Sequence, residues 1–404
     1  MPKTKPAAPA SFPQKLVTWL REDPLDALLI AFPMAIAMRL AGVDDLWIFV
    51  VSCVAIVPLA GLMGRATEAL AHTLGPGIGG LLNATFGNAA ELIIALAALW
   101  KGPQMYPLVK ASITGSIIGN VLLVLGLSIT LGGFKYAYQR YNRTAASMGA
   151  TLLALATIGL IIPTLYYYVF ASAMPLPPEE LETVEFLSEE IAVVLAVVYV
   201  LSLVFMFVTH KNLFSDEAAP PKSPAMRAPA PAETEPHWGR KAALTVLLVA
   251  TVGVAIVAEM LIASVESAAH ELGMSRVFVG VIVVAIVGNA AEHSTAVLVA
   301  LKNKMDLSVN IAVGSSIQIA LFVAPVLVFA SMLMGHEQTL DLHFTPMEIV
   351  AVIASIAILA LIAQDGESHW FEGVMLLAVY AILALAFYHL GDIGSPELTE
   401  IPRH

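Results

Sequence analysis

The pentapeptide GNAAE occurs twice in this chain of 404 residues, at positions 87–91 and 288–292, and each copy lies inside a long apolar stretch. An apolar stretch of about 20 residues is long enough to cross a bilayer as a helix. An ionised side chain at the centre of such a helix costs about 3 kcal/mol on insertion scales, so it is seldom kept there without a function. The motifs therefore predict two carboxylates, Glu91 and Glu292, that face one another along an ion pathway.

The composition also indicates a membrane protein. Apolar residues make up 58% of the chain and charged residues 13%, whereas soluble domains carry about 25% charge. We expect an all-α integral membrane protein with about 11 transmembrane helices. The apolar stretches lie near residues 26–42, 46–64, 78–100, 108–132, 144–168, 188–209, 241–264, 274–300, 307–334, 345–364 and 370–390.

The basic residues predict the orientation. If the N-terminus is cytoplasmic, fifteen of the 20 lysines and arginines fall in cytoplasmic segments. Cytoplasmic loops carry an excess of Lys and Arg in membrane proteins, so this orientation is expected. The short loops favour a prokaryotic plasma membrane, and a vacuolar membrane is the alternative that the residues leave open.

A proline-rich segment divides the chain. Residues 212–238 carry six prolines among alanines and charges, a composition that cannot bury enough apolar surface to fold alone. We therefore expect one accessory helix followed by two five-helix repeats. In order, these are a cytoplasmic N-terminus (1–25), an accessory transmembrane helix (26–43), a first five-helix repeat (44–210), a disordered cytoplasmic linker (211–240), a second five-helix repeat (241–390) and a C-terminal tail (391–404).

The two repeats are expected to run in opposite directions, because the motifs lie in the third and the eighth predicted spans, which cross the membrane in opposite senses. In inverted repeats the substrate site lies near the midplane, where the repeats meet. The likeness extends beyond the motifs, since KASITGSIIGNVLLVLG follows the first and VNIAVGSSIQIALFVAP follows the second. Glu91 precedes Ser116 by 25 residues, and Glu292 precedes Ser315 by 23.

The residue types around the motifs suit a hard divalent cation. Ca²⁺ takes about 6–8 oxygen ligands, and on a helix an Asn three residues before a Glu shares its face. The lack of thiolates disfavours Zn²⁺ or Cu⁺. For the small polar residues, interhelical packing and hydrogen bonding is the other interpretation. The candidate oxygen ligands are Glu91, Glu292, Asn88, Asn289, Ser116, Ser315, Gln318 and the carbonyls of Gly87 and Gly288.

Proton coupling follows from charge. Two carboxylates give the site about two negative charges, which one divalent ion or two protons can neutralise. His293 follows Glu292 and would either assist proton transfer or form an interhelical hydrogen bond. Glu259, within the seventh span, and Glu68, near the end of the second, are candidate vestibule residues, although Glu68 also fits a solvated helix end.

These motifs resemble those of the cation/proton exchanger (CAX) family, the calcium branch of the cation/Ca²⁺ exchanger superfamily. The likeness rests on GGLLNATFGNAAELIIAL with TGSIIGNVLLVLGLSI, and on VGVIVVAIVGNAAEHSTAV with VGSSIQIALFVAPVLV. It implies ten core helices in two inverted repeats after one extra helix, and Ca²⁺ export against an inward flow of H⁺. It also implies that the oxygen ligands named above bind the ion.

Exchange by alternating access is the mechanism we expect. The second and seventh spans, which we expect to be broken by small residues, would slide past the motif helices. The expected partners are Ca²⁺, H⁺ and the lipid bilayer, with no cofactor and no nucleic acid, and a homo-oligomer is left open.

Three alternatives are considered. A Na⁺/Ca²⁺ exchanger on the same fold is disfavoured by Gln318, where Na⁺-coupled relatives tend to carry a carboxylate. An intramembrane hydrolase is disfavoured because the chain has no HExxH or GxSxG pattern. A passive channel would not need carboxylates that bind an ion tightly.

Overall fold

The fold is a bundle of long helices, seen in a computed structural model that describes residues 24–171, 178–210 and 238–390. The expectation of an all-α membrane fold is confirmed. The expectations for the N-terminus, the linker and the C-terminal tail lie almost wholly outside the described residues. The helices are α1 (Ala31–Leu40, after a 3₁₀ turn at Pro24–Ile30), α2 (Asp45–Leu74), α3 (Pro76–Phe86), α4 (Ala89–Trp100), α5 (Pro103–Lys135), α6 (Arg143–Ala171), α7 (Pro178–Val204), α8 (Arg240–Leu272), α9 (Arg276–Gly288), α10 (Ala290–Ala300), α11 (Met305–Met334), α12 (Pro346–Ile362) and α13 (Trp370–Leu390).

Seven of these helices are each long and apolar enough to cross a membrane, and the pairs α3/α4 and α9/α10 raise the number to nine among the described residues. Helix α12 has 17 residues and α1 has 10, so both are shorter. The number eleven therefore stays a prediction. We refer to α2–α7 as the first half and to α8–α13 as the second half.

Both GNAAE motifs interrupt a helix. The axis bends by 43° between α3 and α4 and by 60° between α9 and α10. The spans predicted over 78–100 and 274–300 are therefore each a bent pair of helices rather than one straight helix. At the breaks, Asn88 (φ −99°, ψ 25°) and Asn289 (φ −90°, ψ 4°) leave the helical backbone and become the N-caps of the next helices. Such breaks occur at membrane depth only where protein or a polar site surrounds the freed backbone groups.

Helices α2 and α8 are continuous, with 30 and 33 residues. The expectation that small residues would break them was wrong, because alanine, which is frequent in both, is the strongest helix former. The two helices pack against each other. A Cβ atom placed on Gly253 of α8 would lie 3.1 Å from Leu59 of α2, so the glycine permits close approach.

Glycines also bring α5 and α9 into backbone contact. A Cβ atom on Gly115 would lie 2.3 Å from the carbonyl oxygen of Val281, and one on Gly280 would lie 2.5 Å from Cβ of Ala111. Small residues permit such close approach between membrane helices. Ser116, the residue after Gly115, accepts a hydrogen bond from Asn289, which directly follows α9.

Wide π-helical turns follow the serines of both halves. They span Gly119–Val124 in α5 and Ile319–Val323 in α11. Such turns are rare and often lie at functional sites. Their matching positions extend the similarity of the two halves from sequence to backbone.

Two connecting segments fasten the halves together. Strands β1 (Gln139–Arg140) and β2 (Glu367–Ser368) form a short antiparallel pair that the helical prediction did not include. Gln139 is buried, and its Nε2 donates to the carbonyl of Ala300 at the end of α10 (2.8 Å).

The segment between α11 and α12 makes an ion pair with the first half. Asp341 accepts from Lys110 of α5 at 2.8 Å. Burial by itself raises the pKa of Asp341, but the Lys110 ammonium outweighs burial and the pKa lies below its ordinary value. The pair stabilises the folded state while Asp341 is ionised.

Candidate ion-binding site

The two GNAAE motifs meet where the halves join. Each glutamate packs against the glycine of the other motif. A Cβ atom on Gly288 would lie 3.2 Å from Cγ of Glu91, and one on Gly87 would lie 3.5 Å from Oε1 of Glu292. Both glutamates are in the first turn of their helices, α4 and α10, where the helix dipole favours a carboxylate. The carboxylates are therefore brought towards one interface, as the sequence predicted.

The amide side chains of the motifs bond to the opposite half. Asn88 Nδ2 donates to Gln318 Oε1 (2.6 Å), and Asn88 Oδ1 accepts from Ser315 Oγ (2.7 Å). Asn289 Nδ2 donates to Ser116 Oγ (3.0 Å). Both asparagines are almost fully buried. Each motif is thus held by a serine of the other half, and all five polar residues belong to one cluster.

Asn120 joins the two parts of this cluster, and sequence reasoning did not select it. Its Nδ2 donates to Ser315 Oγ at 3.0 Å and lies 3.5 Å from Asn289 Oδ1. The signal was its position four residues after Ser116, on the same helix face. It was missed because the corresponding residue of the second half is Ile319, so a comparison of the repeats did not select it.

Three of the four glutamate oxygens take no part in this network. In the part of the chain that the structure describes, both carboxylate oxygens of Glu91 and Oε2 of Glu292 are buried without a hydrogen-bond partner. A buried polar group without a partner costs about 1–3 kcal/mol, and more when it is charged. The amides and hydroxyls of the cluster bond to one another, and these three carboxylate oxygens are available for a ligand. Oxygen ligands of this kind suit Ca²⁺.

The polar cluster and the two glutamates contain amide, hydroxyl and carboxylate oxygens rather than a group of three acidic or imidazole side chains. Within the described ranges, no three His, Cys, Asp or Glu side chains come together in a way that could hold a metal ion.

A cavity adjoins Glu91. Three of its lining residues carry side-chain oxygen, namely Glu91, Ser112 and Ser116. Ser112 was not selected from the sequence. The remaining lining residues are Ile94, Ala95, Ile113, Val284, Ile319 and Val323.

The candidates for proton transfer and for the vestibules, namely His293, Glu68 and Glu259, differ in burial. The Nε2 atom of His293 is buried without a partner among the described residues. Glu68 on α2 and Glu259 on α8 are exposed, and no hydrogen bond or ion pair seen in the described residues joins either to the cluster. The proton role of His293 and the vestibule roles of Glu68 and Glu259 stay predictions.

The sequence matches the model of the sodium/calcium exchanger protein family over residues 45–208 and 242–389. It is 45% identical over 366 residues to a Ca²⁺/H⁺ antiporter of Synechocystis, covering 89% of this chain and 96% of that protein. It is 44% identical over 359 residues to the Ca²⁺/H⁺ antiporter ChaA of Bacillus subtilis, with 89% and 96% covered.

The fold is similar to the solved structure of native YfkE. The TM-score is 0.75 at 40% identity, and the match covers 91% of this chain and all of that chain. The resemblance drawn from the motifs is therefore confirmed over nearly the whole length.

Proposed function

Because the chain belongs to the sodium/calcium exchanger protein family, we propose that it is a secondary antiporter that exchanges Ca²⁺ for H⁺ across a membrane. One structural observation carries the proposal. Two buried carboxylates, Glu91 and Glu292, approach the same interface and leave three oxygens without a hydrogen-bond partner among the described residues. The names of the relatives from Synechocystis and Bacillus subtilis support the choice of Ca²⁺ and H⁺.

The cation is bound by the two glutamates, with the oxygens of the polar cluster around them. Gly87 and Gly288 supply backbone carbonyls next to the helix breaks, where helical bonding is interrupted. Ser116, Ser315 and Gln318 hold Asn88 and Asn289 in place and complete the oxygen set. Together these groups supply the ligand number and type that Ca²⁺ requires.

Exchange results from competition for the same oxygens. The two glutamates carry about two negative charges, which either one Ca²⁺ or two protons can neutralise. The Ca²⁺ ion and the protons cannot occupy the carboxylates at the same time. A site that always carries one or the other couples the two fluxes. His293 next to Glu292 assists the movement of protons.

Alternating access arises from movement of α2 and α8 against α4 and α10. The long helices pack on each other without a break, whereas the motif helices are bent at the site. A rigid helix pair can move across a fixed central site and open one side at a time. Glu68 and Glu259 lie on the moving pair and line the two vestibules.

We place the N-terminus in the cytoplasm and the protein in a prokaryotic plasma membrane, with residues 44–210 and 241–390 as the two inverted units. The distribution of Lys and Arg supports this orientation.

The choice of coupling ion is tested with purified protein in liposomes. Uptake of ⁴⁵Ca²⁺ is measured with an outward H⁺ gradient and, separately, with an outward Na⁺ gradient. We expect uptake only with the H⁺ gradient. Uptake that follows the Na⁺ gradient alone would show that the protein is a Na⁺/Ca²⁺ exchanger. Gln318 would then do without the carboxylate that Na⁺-coupled relatives tend to carry at this position.

A further inference from the structure

We propose that Ser112 is a further cation ligand and that, with Glu91 and Ser116, it forms a subsite beside the central cluster. The inference rests on the proposed function, because it requires Glu91 to bind a cation. It concerns a residue outside the motifs, on the α5 turn before Ser116.

The cavity next to Glu91 carries the first part of the argument. Its side-chain oxygens come from Glu91, Ser112 and Ser116, and every other lining residue is apolar. The Ser112 hydroxyl donates its proton to the carbonyl of Val109 (2.7 Å). The hydroxyl proton is therefore used, and the lone pairs of the oxygen are free to accept a hydrogen bond or to coordinate a cation.

The Glu91 carboxylate supplies an independent indication of a ligand. Both of its oxygens are buried, and neither has a hydrogen-bond partner in the described part of the chain. The nearby Ser112 hydroxyl donates to Val109 rather than to this carboxylate, and Ser116 accepts from Asn289. A cation that contacts Glu91 from this cavity would meet oxygen from two further side chains.

The spacing along α5 favours one continuous track. Ser112, Ser116 and Asn120 recur every four residues, which places them on one helix face. A step of four residues advances about 6 Å along a helix. Ser112 thus lies one step from the cluster, towards the beginning of α5.

The second half has no equivalent track. Aligning Gly115–Ser116 with Gly314–Ser315 places Ile311 opposite Ser112 and Ile319 opposite Asn120. A cation that leaves the cluster towards the beginning of α5 therefore meets another hydroxyl. One that leaves towards the beginning of α11 meets an isoleucine. The two routes to the site are chemically unequal, although the halves share a fold.

The test introduces a soft ligand at position 112. Cys53 is the one cysteine of the chain, so a Cys53→Ser parent removes the native thiol. In that parent, Ser112→Cys places a thiol beside Glu91, and thiolates select soft metals such as Cd²⁺ over Ca²⁺. We expect Cd²⁺ to inhibit ⁴⁵Ca²⁺ uptake at a concentration about tenfold or more below that needed for the parent.

Matched controls use the other half and a remote serine. Ile311→Cys is the equivalent position of the second half, and Ser128→Cys is buried further along the same helix. Both should show the Cd²⁺ sensitivity of the parent. Ser112→Ala should raise the KM for Ca²⁺ severalfold while the maximal rate and the protein yield are kept.

A second readout does not depend on transport. In the purified Ser112→Cys protein, the thiolate-to-Cd²⁺ absorbance should appear at a low Cd²⁺ concentration. In the Ser112→Cys/Glu91→Gln double variant it should be weaker, because the thiolate and the Glu91 carboxylate share the ion. Equal Cd²⁺ affinity of the Ser112→Cys and Ile311→Cys proteins, or Ser112→Cys absorbance unaffected by Glu91→Gln, would overturn the subsite. Failure of the proposed function would instead show as absent H⁺-driven Ca²⁺ uptake in the parent.

Discussion

Replacing Gly115 by alanine should separate the two helices that hold the polar cluster together. The new Cβ atom would lie 2.3 Å from the carbonyl oxygen of Val281 and 2.4 Å from its Cα, whereas ordinary contacts begin at 3.4 Å. The obstacle is backbone rather than a side chain that could rotate away. Helices α5 and α9 must therefore move apart by about 1 Å at this point, since overpacked cores respond by backbone shifts.

The expected cost has two parts. Overpacking typically costs about 1–3 kcal/mol. The displacement also stretches the 3.0 Å hydrogen bond from Asn289 to Ser116, the residue next to Gly115, and loss of such a bond costs about 0.5–1.5 kcal/mol more. We expect a lower melting temperature and a higher KM for Ca²⁺.

The matched control is Gly314→Ala, at the equivalent position of the second half. No atom lies within 4 Å of a Cβ placed on Gly314. Alanine is preferred over glycine in a helix by about 1 kcal/mol, so this variant should equal or exceed the wild type in stability. The measurements are thermal unfolding in detergent and ⁴⁵Ca²⁺ uptake in liposomes. If Gly115→Ala is as stable and as active as Gly314→Ala, the proposed helix contact is refuted.

Three further predictions concern residues outside the motifs. Asn120→Ala should weaken Ca²⁺ binding about tenfold, because Ser315 and Asn289 lose their shared donor; unchanged affinity by titration calorimetry would exclude this role. Gln139→Leu should lower the free energy of unfolding by about 1–3 kcal/mol, because the Ala300 carbonyl loses its buried donor, whereas Arg140→Gln on the same strand, whose ion pair is exposed, should change it by under about 1 kcal/mol. Asp341→Asn should remove stability that the wild type has above pH about 4, because the pKa of Asp341 is lowered in the folded state. The difference in melting temperature between the wild type and Asp341→Asn should shrink as the pH falls through the folded-state pKa of Asp341. A constant difference from pH 7 to 3 would contradict this.

The sequence predicted the helices and most of the cluster because both leave periodic or repeated signals. Long apolar stretches identify helices without any knowledge of their neighbours. The repeat of GNAAE, followed by Ser116 and Ser315, selected residues that the structure brings together.

Other features could not be predicted because they depend on tertiary contacts. At the helix breaks, the side chains of Asn88 and Asn289 form hydrogen bonds with the opposite half, and no local sequence pattern records these contacts. Asn120 and Ser112 were missed because a comparison of repeats finds only what the halves share. The positions of Glu68 and Glu259 depend on which helix faces are covered, and sequence spacing does not determine that.

Proton release on Ca²⁺ binding tests the central claim most directly. Calorimetric titration of purified protein with Ca²⁺, in buffers of different ionisation enthalpy, gives the number of protons released per ion bound. The account predicts release of up to about two protons from the wild type and loss of Ca²⁺ binding in both Glu91→Gln and Glu292→Gln. Ca²⁺ binding that releases no proton at any pH, or that survives either substitution unchanged, would contradict it.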